Sequence, residues 1–328
     1  MNVFKGFLIA SALLSVFIAG CANDDGSKDY GAARQAIEEG RYEDAVSFLE
    51  RACVKCPTNF AAFLDLSVTH LRLGNKVKAE GAITKALKIN PESAEAVIVE
   101  GQIAYEKEDY THAYANLDYV IEEKSLPNKV RSIAYVSRSV VKYVEKDFDG
   151  AKIDALMALS LNQRNAAAWN QIGIISRDSR YFEAANLQFA MAGRCLPVGD
   201  LRRERIENKV LGDLRKRLEI EASKGAKKVT FAEAKKLASL AKKAAAVDKA
   251  LAAYRGAMNS EPFNQDIYVS AIKFAKQNGR WPAVVEFAQR SLLHEPGNKA
   301  SAKQMKEALY KVGRRSEVAA WEEYISTL

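Results

Sequence analysis

Cysteines, histidines and a cluster of arginines and lysines are the side chains of this 328-residue sequence whose spacing could do chemistry. Cys53-Val54-Lys55-Cys56 has the CxxC spacing of redox pairs and zinc sites. A redox cysteine wants a helix N-terminus, where the dipole favours the thiolate. This pair stands just before Pro57, at the C-terminal end of an expected helix, where the dipole acts the other way. A structural zinc needs four ligands, and neither a second CxxC nor a nearby histidine supplies the rest. His70, His112 and His294 fall in unrelated segments. The sequence has no nucleophile elbow, phosphate loop, dinucleotide loop or HExxH. It therefore reads as non-enzymatic, with no metal and no cofactor.

The basic residues are unevenly placed. Residues 200–243 hold 14 lysines and arginines against 7 acidic residues, which accounts for nearly all of the chain's net +8. Arg202, Arg203, Arg205, Arg215, Lys216 and Arg217 are its densest part. Such a patch could attract an acidic protein, anionic lipid head groups or an anionic glycan. It could equally be the solvated side of an amphipathic helix. Leu201, Ile206, Val210, Leu211, Leu214 and Leu218 form an apolar stripe at helical spacing. They predict a long helix over 200–223 that ends before Gly225.

The rest of the chain must position these groups, and it is periodic. Pro57 and Pro91 stand 34 residues apart, as do Pro262 and Pro296. The series Ala45, Ala52, Pro57 recurs as Ala79, Ala86, Pro91, then Ala185, Ala192, Pro197, then Ala250, Ala257, Pro262. Small residues let the two helices of a hairpin approach closely, and proline stops the second helix. Few glycines and prolines, with abundant Leu, Ala, Glu and Lys, favour helices throughout.

This grammar resembles the tetratricopeptide (TPR) repeat. The match is fullest in Trp169, Ile172-Gly173, Phe182, Ala185, Phe189, Ala192 and Pro197. It is weaker around Gly101, Tyr105, Tyr110 and Ala113, where Ser125 stands at the proline position. The resemblance implies an all-α fold, a superhelical solenoid of antiparallel helix pairs. The expected units are 26–59, 60–93, 94–127, 132–165, 166–199, 231–264 and 265–298, with a half-unit from about Lys299 capping the stack. Segment 28–199 is then a five-unit block, 200–230 a basic amphipathic helix or linker, and 231–328 a second block of two units plus capping helices.

The N-terminus resembles a bacterial lipoprotein signal. Lys5 precedes an apolar run from Phe7 to Ile18, too short to cross a bilayer of roughly 30 Å. It closes on Ile18-Ala19-Gly20-Cys21, similar to the lipobox. The resemblance implies a signal peptide over 1–20, removed before Cys21. Cys21 would then carry diacylglycerol and a further acyl chain such as palmitate, which together anchor stably. Residues 21–27 would be the lipidated cysteine and a polar tether. Ala22, in place of an aspartate, implies delivery to the outer membrane, facing the periplasm. Nucleic acid then drops out as a partner of the basic segment. In an oxidising periplasm Cys53 and Cys56 could form a local disulfide, or remain buried thiols. Cys195 is expected to pack as a small hydrophobe.

By resemblance, a partner would lie along the first helices of successive units. The groove-lining residues would include Tyr30, Arg34, Leu64, Arg72, Gln102, Tyr105, Tyr143, Asn170 and Arg177. The clamp that some TPR domains close on a terminal carboxylate is absent, since Arg34 stands where its asparagine belongs. The expected function is a membrane-tethered scaffold for a protein partner in an envelope assembly such as a pilus or secretin system. The alternative is a cell-wall-associated module, or an adaptor of peptidoglycan enzymes, gripping anionic polymer through residues 200–243.

Overall fold

The computed structural model describes residues 24–328 except 180, 181, 198, 215, 217–228 and 296. The expected signal peptide and Cys21 lie outside the described residues, as do Arg215, Arg217, Leu218 and Gly225. The described residues are helical, with no strand among them. They form two compact units. The first runs up to Asp154 and includes Leu196–Arg203; the second comprises Ala155–Cys195 and Glu204–Leu328.

In the first unit, α1 (Asp24–Glu38) pairs with α2 (Tyr42–Lys55), α3 (Phe60–Arg72) with α4 (Lys76–Ile89), and α5 (Ala94–Glu106) with α6 (Tyr110–Glu122). Next come α7 (Asn128–Val144) and the start of α8 (Phe148–Leu161). The start residues 42, 76 and 110 repeat every 34, as the sequence spacing predicts. First helices also stack on one another, α3 on α5 and α5 on α7.

Each hairpin carries its own start and stop. Asn59, Ser93 and Asp109 accept backbone N–H bonds from Ala62, Ala96 and His112 and so cap α3, α5 and α6. Between the paired helices the chain turns through one left-handed residue: Gly40, Gly74, Glu108 and Lys146. At each turn the next amide reaches five residues back. Arg41 N donates to Ala36 O, Asn75 N to His70 O, Asp109 N to Ala104 O and Asp147 N to Lys142 O. These bonds satisfy carbonyls that the helix end would otherwise orphan. Glycine adopts that conformation without strain, whereas Glu108 and Lys146 do not.

Small residues at the repeated positions do the closing. Ala45, Ala52, Ala79, Ala86, Ala113, Ala151 and Ala158 are all fully buried, with no solvent-exposed surface. Where α3 and α7 cross their partners, a buried serine replaces pure packing. Ser67 Oγ donates to Ala79 O at 2.8 Å, and Ser139 Oγ to Ala151 O at 2.6 Å. Gly101 serves the same place on α5, and a Cβ there would stand 3.2 Å from Leu117 Cγ.

Two boundaries differ from the sequence expectation. Asp24–Ser27 form the first turn of α1 rather than a free tether. Two acidic residues suit a helix N-terminus, and Gly26 lies against Cys56, 3.4 Å from a built Cβ to Cys56 Cβ. The fourth unit's first helix begins at Asn128 rather than 132, so α7 is 17 residues long where α3 and α5 have 13. Its added turn holds buried Arg131, whose Nε donates to Ile121 O at 3.1 Å. Arg131 thus closes the end of α6, where the usual proline is missing.

In the second unit, α9 (Ala166–Asp178) pairs with α10 (Phe182–Arg194). Leu201–Arg205 is a short helix, α11, followed by a π-helical turn at Ile206–Val210 that packs on α10. The helical path continues through Leu214. Thus only part of the expected 200–223 helix is described, and its stripe is split. Ile206, Leu211 and Leu214 are buried, whereas Leu201 is 49% exposed. Then α12 (Phe231–Leu240), α13 (Ala244–Ser260), α14 (Gln265–Gln277), α15 (Trp281–His294), α16 (Lys299–Lys311) and α17 (Arg315–Thr327) pack in sequence. Thr230 and Glu233 form a reciprocal capping box at α12. Gly279 and Gly313 make the same left-handed turns. The expected half-unit is a complete pair, α16 with α17, closed by buried Trp321 and Tyr324.

Candidate functional site

Within the first unit, the face made by α1, α3, α5 and α7 gathers the groove residues expected there. Tyr30 and Arg34 stand one turn apart on α1, while Asp65 and Arg72 stand on α3. Tyr30 Oη donates to Asp65 Oδ2 at 2.8 Å. Burial raises the Asp65 carboxyl above its usual range, against the pull of Tyr30, Arg34 and Arg72. Burial also raises the Tyr30 phenol, and Asp65 adds to it. Burial works against the charge of Arg34, but Tyr30 and Asp65 more than offset it and hold the guanidinium cationic. Arg72 Nη1 donates to Tyr42 Oη at 2.9 Å and its guanidinium lies 5.2 Å from that ring's centre.

The middle of the face is aromatic. Tyr105 packs on Tyr110, with ring centres 6.3 Å apart, and burial pushes its phenol up to about 12. Tyr143 meets the ring of Phe148 edge-on at 5.3 Å. Behind them sits an ion cluster. Asp154, 1% exposed, accepts Arg138 Nε at 2.8 Å, Arg138 Nη2 at 2.7 Å and Lys142 Nζ at 2.9 Å. Arg138 also reaches Asp118 at 2.6 Å.

Not every expected lining residue faces outward. Tyr30, Leu64 and Gln102 are buried between helices, Gln102 donating to Ser137 Oγ at 2.9 Å. Asn170, on α9 of the second unit, is buried too. These four are corrected from lining to packing residues, because the surrounding helices leave them almost no exposed surface. Arg34, Arg72, Tyr105 and Tyr143 keep part of their surface in the first unit, as does Arg177 in the second. Sequence reasoning missed Asp65. Its signal was a lone carboxylate inside the apolar run Phe63-Leu64-Asp65-Leu66.

The cysteines also separate. Cys53 is a buried free thiol whose pKa burial pushes up to about 12. A Cys53–Cys56 bridge is therefore corrected: Cys53 turns into the core of the first hairpins, while Cys56 sits beyond the helix end in extended backbone. Cys195 is a free, half-buried thiol, raised by burial. Neither free thiol has the depressed pKa that nucleophilic chemistry needs.

The basic segment is less free than its sequence suggests. Arg202 Nε donates to Asp200 Oδ1 at 2.9 Å, and Arg203 Nη1 lies 3.4 Å from Leu196 O. Burial opposes ionisation of Asp200, yet Arg202 and then Arg72 hold its carboxyl below the usual range. Arg205 and Lys216 are exposed.

Paired antiparallel helices at a 34-residue step, closed by alanines and left-handed turns, define a helical-repeat protein of tetratricopeptide architecture. Among solved structures, the chain is similar to the PilF protein of Pseudomonas aeruginosa at 18% identity, over 61% of this chain and 93% of that one, with a TM-score of 0.44. It is similar to PilW, described as a widely conserved type IV pilus biogenesis factor, at 18% identity, over 63% and 97%, with a TM-score of 0.45. A third similarity is to the Cut9–Hcn1 hetero-tetramer of the APC/C, at 11% identity, over 84% and 48%, with a TM-score of 0.46. No protein-family model and no curated protein matches the chain.

Proposed function

We propose that this protein is a non-enzymatic scaffold that holds a protein partner against the first-helix face of its first unit. The observation that supports the reading is the composition of that face. Arg34, Arg72, Tyr105 and Tyr143 are partly exposed on stacked helices, over a packed and ion-paired base. Arginine and tyrosine are the side chains that anchor protein interfaces. The scaffold is tethered to the outer membrane by acyl chains on Cys21 and faces the periplasm, and its partner belongs to an envelope assembly such as a pilus or secretin complex.

The test is capture from detergent-solubilised envelope with a photo-crosslinker at Tyr105 or Tyr143, and at exposed Val77 on α4 as control. A specific adduct at 105 and 143 but not at 77 supports the reading; equal labelling at all three removes it. Sedimentation with purified cell-wall sacculi, with Arg205 and Lys216 neutralised, addresses the polymer-binding alternative. Co-sedimentation that those changes abolish would favour that alternative over the scaffold.

A further inference from the structure

The segment Leu196–Arg203 follows α10 in the chain, yet it packs with the first unit. Its apolar foot is specific. Gly40, the left-handed turn between α1 and α2, lies so close to Leu201 that a Cβ on Gly40 would overlap Leu201 Cδ1. Two residues therefore fix this seat. Glycine is needed for the turn, and its missing side chain makes the hollow that the leucine enters. The polar foot is Asp200, whose carboxylate is paired with Arg202 and also feels the positive charge of Arg72 at the C-terminal end of α3. Arg72 is held by Tyr42 of α2. Gly40, Tyr42 and Arg72 are thus one contiguous corner of the first two hairpins, and the chain's own Asp200-Leu201 lies on it.

The occupant is also poorly committed. Leu201 remains half exposed at the head of the helical path that runs to Leu214, and Leu196, Pro197, Gly199 and Asp200 ahead of it lie outside any helix. Gly199 adds a left-handed bend just before Asp200. A contact of this size is of the order that a competing segment can replace.

We propose that the Gly40–Tyr42–Arg72 corner is a docking site for a peptide that presents a carboxylate followed by a leucine-sized aliphatic residue, and that Asp200-Leu201 occupies it as an internal competitor. The proposal rests on the scaffold reading, and it adds a corner beside the first-helix face, built from the α1–α2 turn, Tyr42 of α2 and Arg72 of α3, and what guards it. A partner carrying an acidic-aliphatic pair displaces the segment by matching both feet. While the segment stays tethered, its effective concentration is of millimolar order, so a free peptide competes poorly.

The experiment uses the full chain and a fluorescein-labelled synthetic peptide of residues 196–203. Wild type is compared with Leu201→Ala, a mild opening, and with Asp200→Arg/Leu201→Glu, a full one. Helical content by circular dichroism checks that each variant folds. By fluorescence anisotropy, the peptide should bind the fully opened protein at least about tenfold more tightly than wild type, with Leu201→Ala between. A peptide carrying the same two changes should not bind, and Arg72→Glu in the opened protein should abolish binding. Equal binding to wild type and opened protein, or no binding to either opened variant, overturns the proposal. Envelope crosslinking at Tyr105 and Tyr143 is a separate readout. If it succeeds while the peptide fails, the scaffold stands and the internal competitor does not.

Discussion

Asp154→Asn should be among the most damaging single changes to the first unit. The carboxylate is almost without solvent and accepts three charged hydrogen bonds, two from Arg138 and one from Lys142. Burial disfavours the charge on Arg138, but Asp154 and Asp118 more than compensate and raise its pKa. An asparagine keeps the shape and removes the charge. Arg138 would keep Asp118, and Lys142 would lose its carboxylate. Breaking a buried pair from one side costs about 3–5 kcal/mol, because a charge is left in a poor solvent. Arg138 and Lys142 are each about one-fifth exposed, so water relieves part of that, and about 3 kcal/mol is expected. With a urea dependence of about 3 kcal/mol per molar, the unfolding midpoint should fall by about 1 M. Replacing all three, Arg138→Met, Lys142→Met and Asp154→Leu, should recover most of the loss. Arg41→Ala is the internal control, since its partners Glu39 and Asp44 are exposed, and it should not move the midpoint measurably. A shift below about 0.3 M for Asp154→Asn, or equal shifts for Asp154→Asn and Arg41→Ala, would refute the reasoning.

Lys146→Gly should stabilise the first unit by about 1 kcal/mol, because it removes a left-handed lysine at a turn where Gly40 and Gly74 already stand; a lower urea midpoint than wild type would contradict this. Gly173→Ala should destabilise the second unit by about 1–2 kcal/mol despite alanine's better helix propensity, since its Cβ would meet the buried Phe189 ring at 2.9 Å; a thermal melt at or above wild type would count against that packing. Burial, helped by Arg290, pushes His294 down to about 4, below its ordinary 6.5. The unfolded chain therefore takes up a proton between pH 6.5 and 4 that the folded chain refuses. His294 costs no stability above pH 6.5, and about 3 kcal/mol of stability is lost as pH falls through that window. His294→Gln should flatten this part of a stability–pH curve, and parallel curves would sink the assignment.

Much of the fold is legible in the sequence because its markers act locally. Pro57 and Pro91 stop helices, Asn59 and Ser93 start the next ones, and Ala45 or Ala79 leaves room for a partner helix whatever lies further away. Their effects need no knowledge of distant residues. The site is less legible for the opposite reason. Repeat register tells that Leu64 and Gln102 point toward the neighbouring unit, but not that the neighbour closes over them. Asp65 breaks the apolar pattern, and its meaning depends on Tyr30 and Arg34, a whole repeat earlier. The seat of Leu201 on Gly40 joins residues 161 positions apart, and no periodicity links them. The stripe over 200–223 predicts one helix face, yet Leu201 and Ile206 serve different units.

The extra turn of α7 has a consequence for how such an array can grow. Four residues rotate a helix by about 400°, which leaves a face only about 40° from its old direction while lengthening the rod by about 6 Å. Residues inserted ahead of Ser132 therefore leave the downstream knobs and hollows almost unturned, and the overhanging turn brings its own cap in Arg131. A three- or five-residue insertion at the same place would swing the helix by about 60° or about 140° from register. Length change in this protein is thus quantised in helical turns, and a unit can drift in size between duplications without its surface losing its heading.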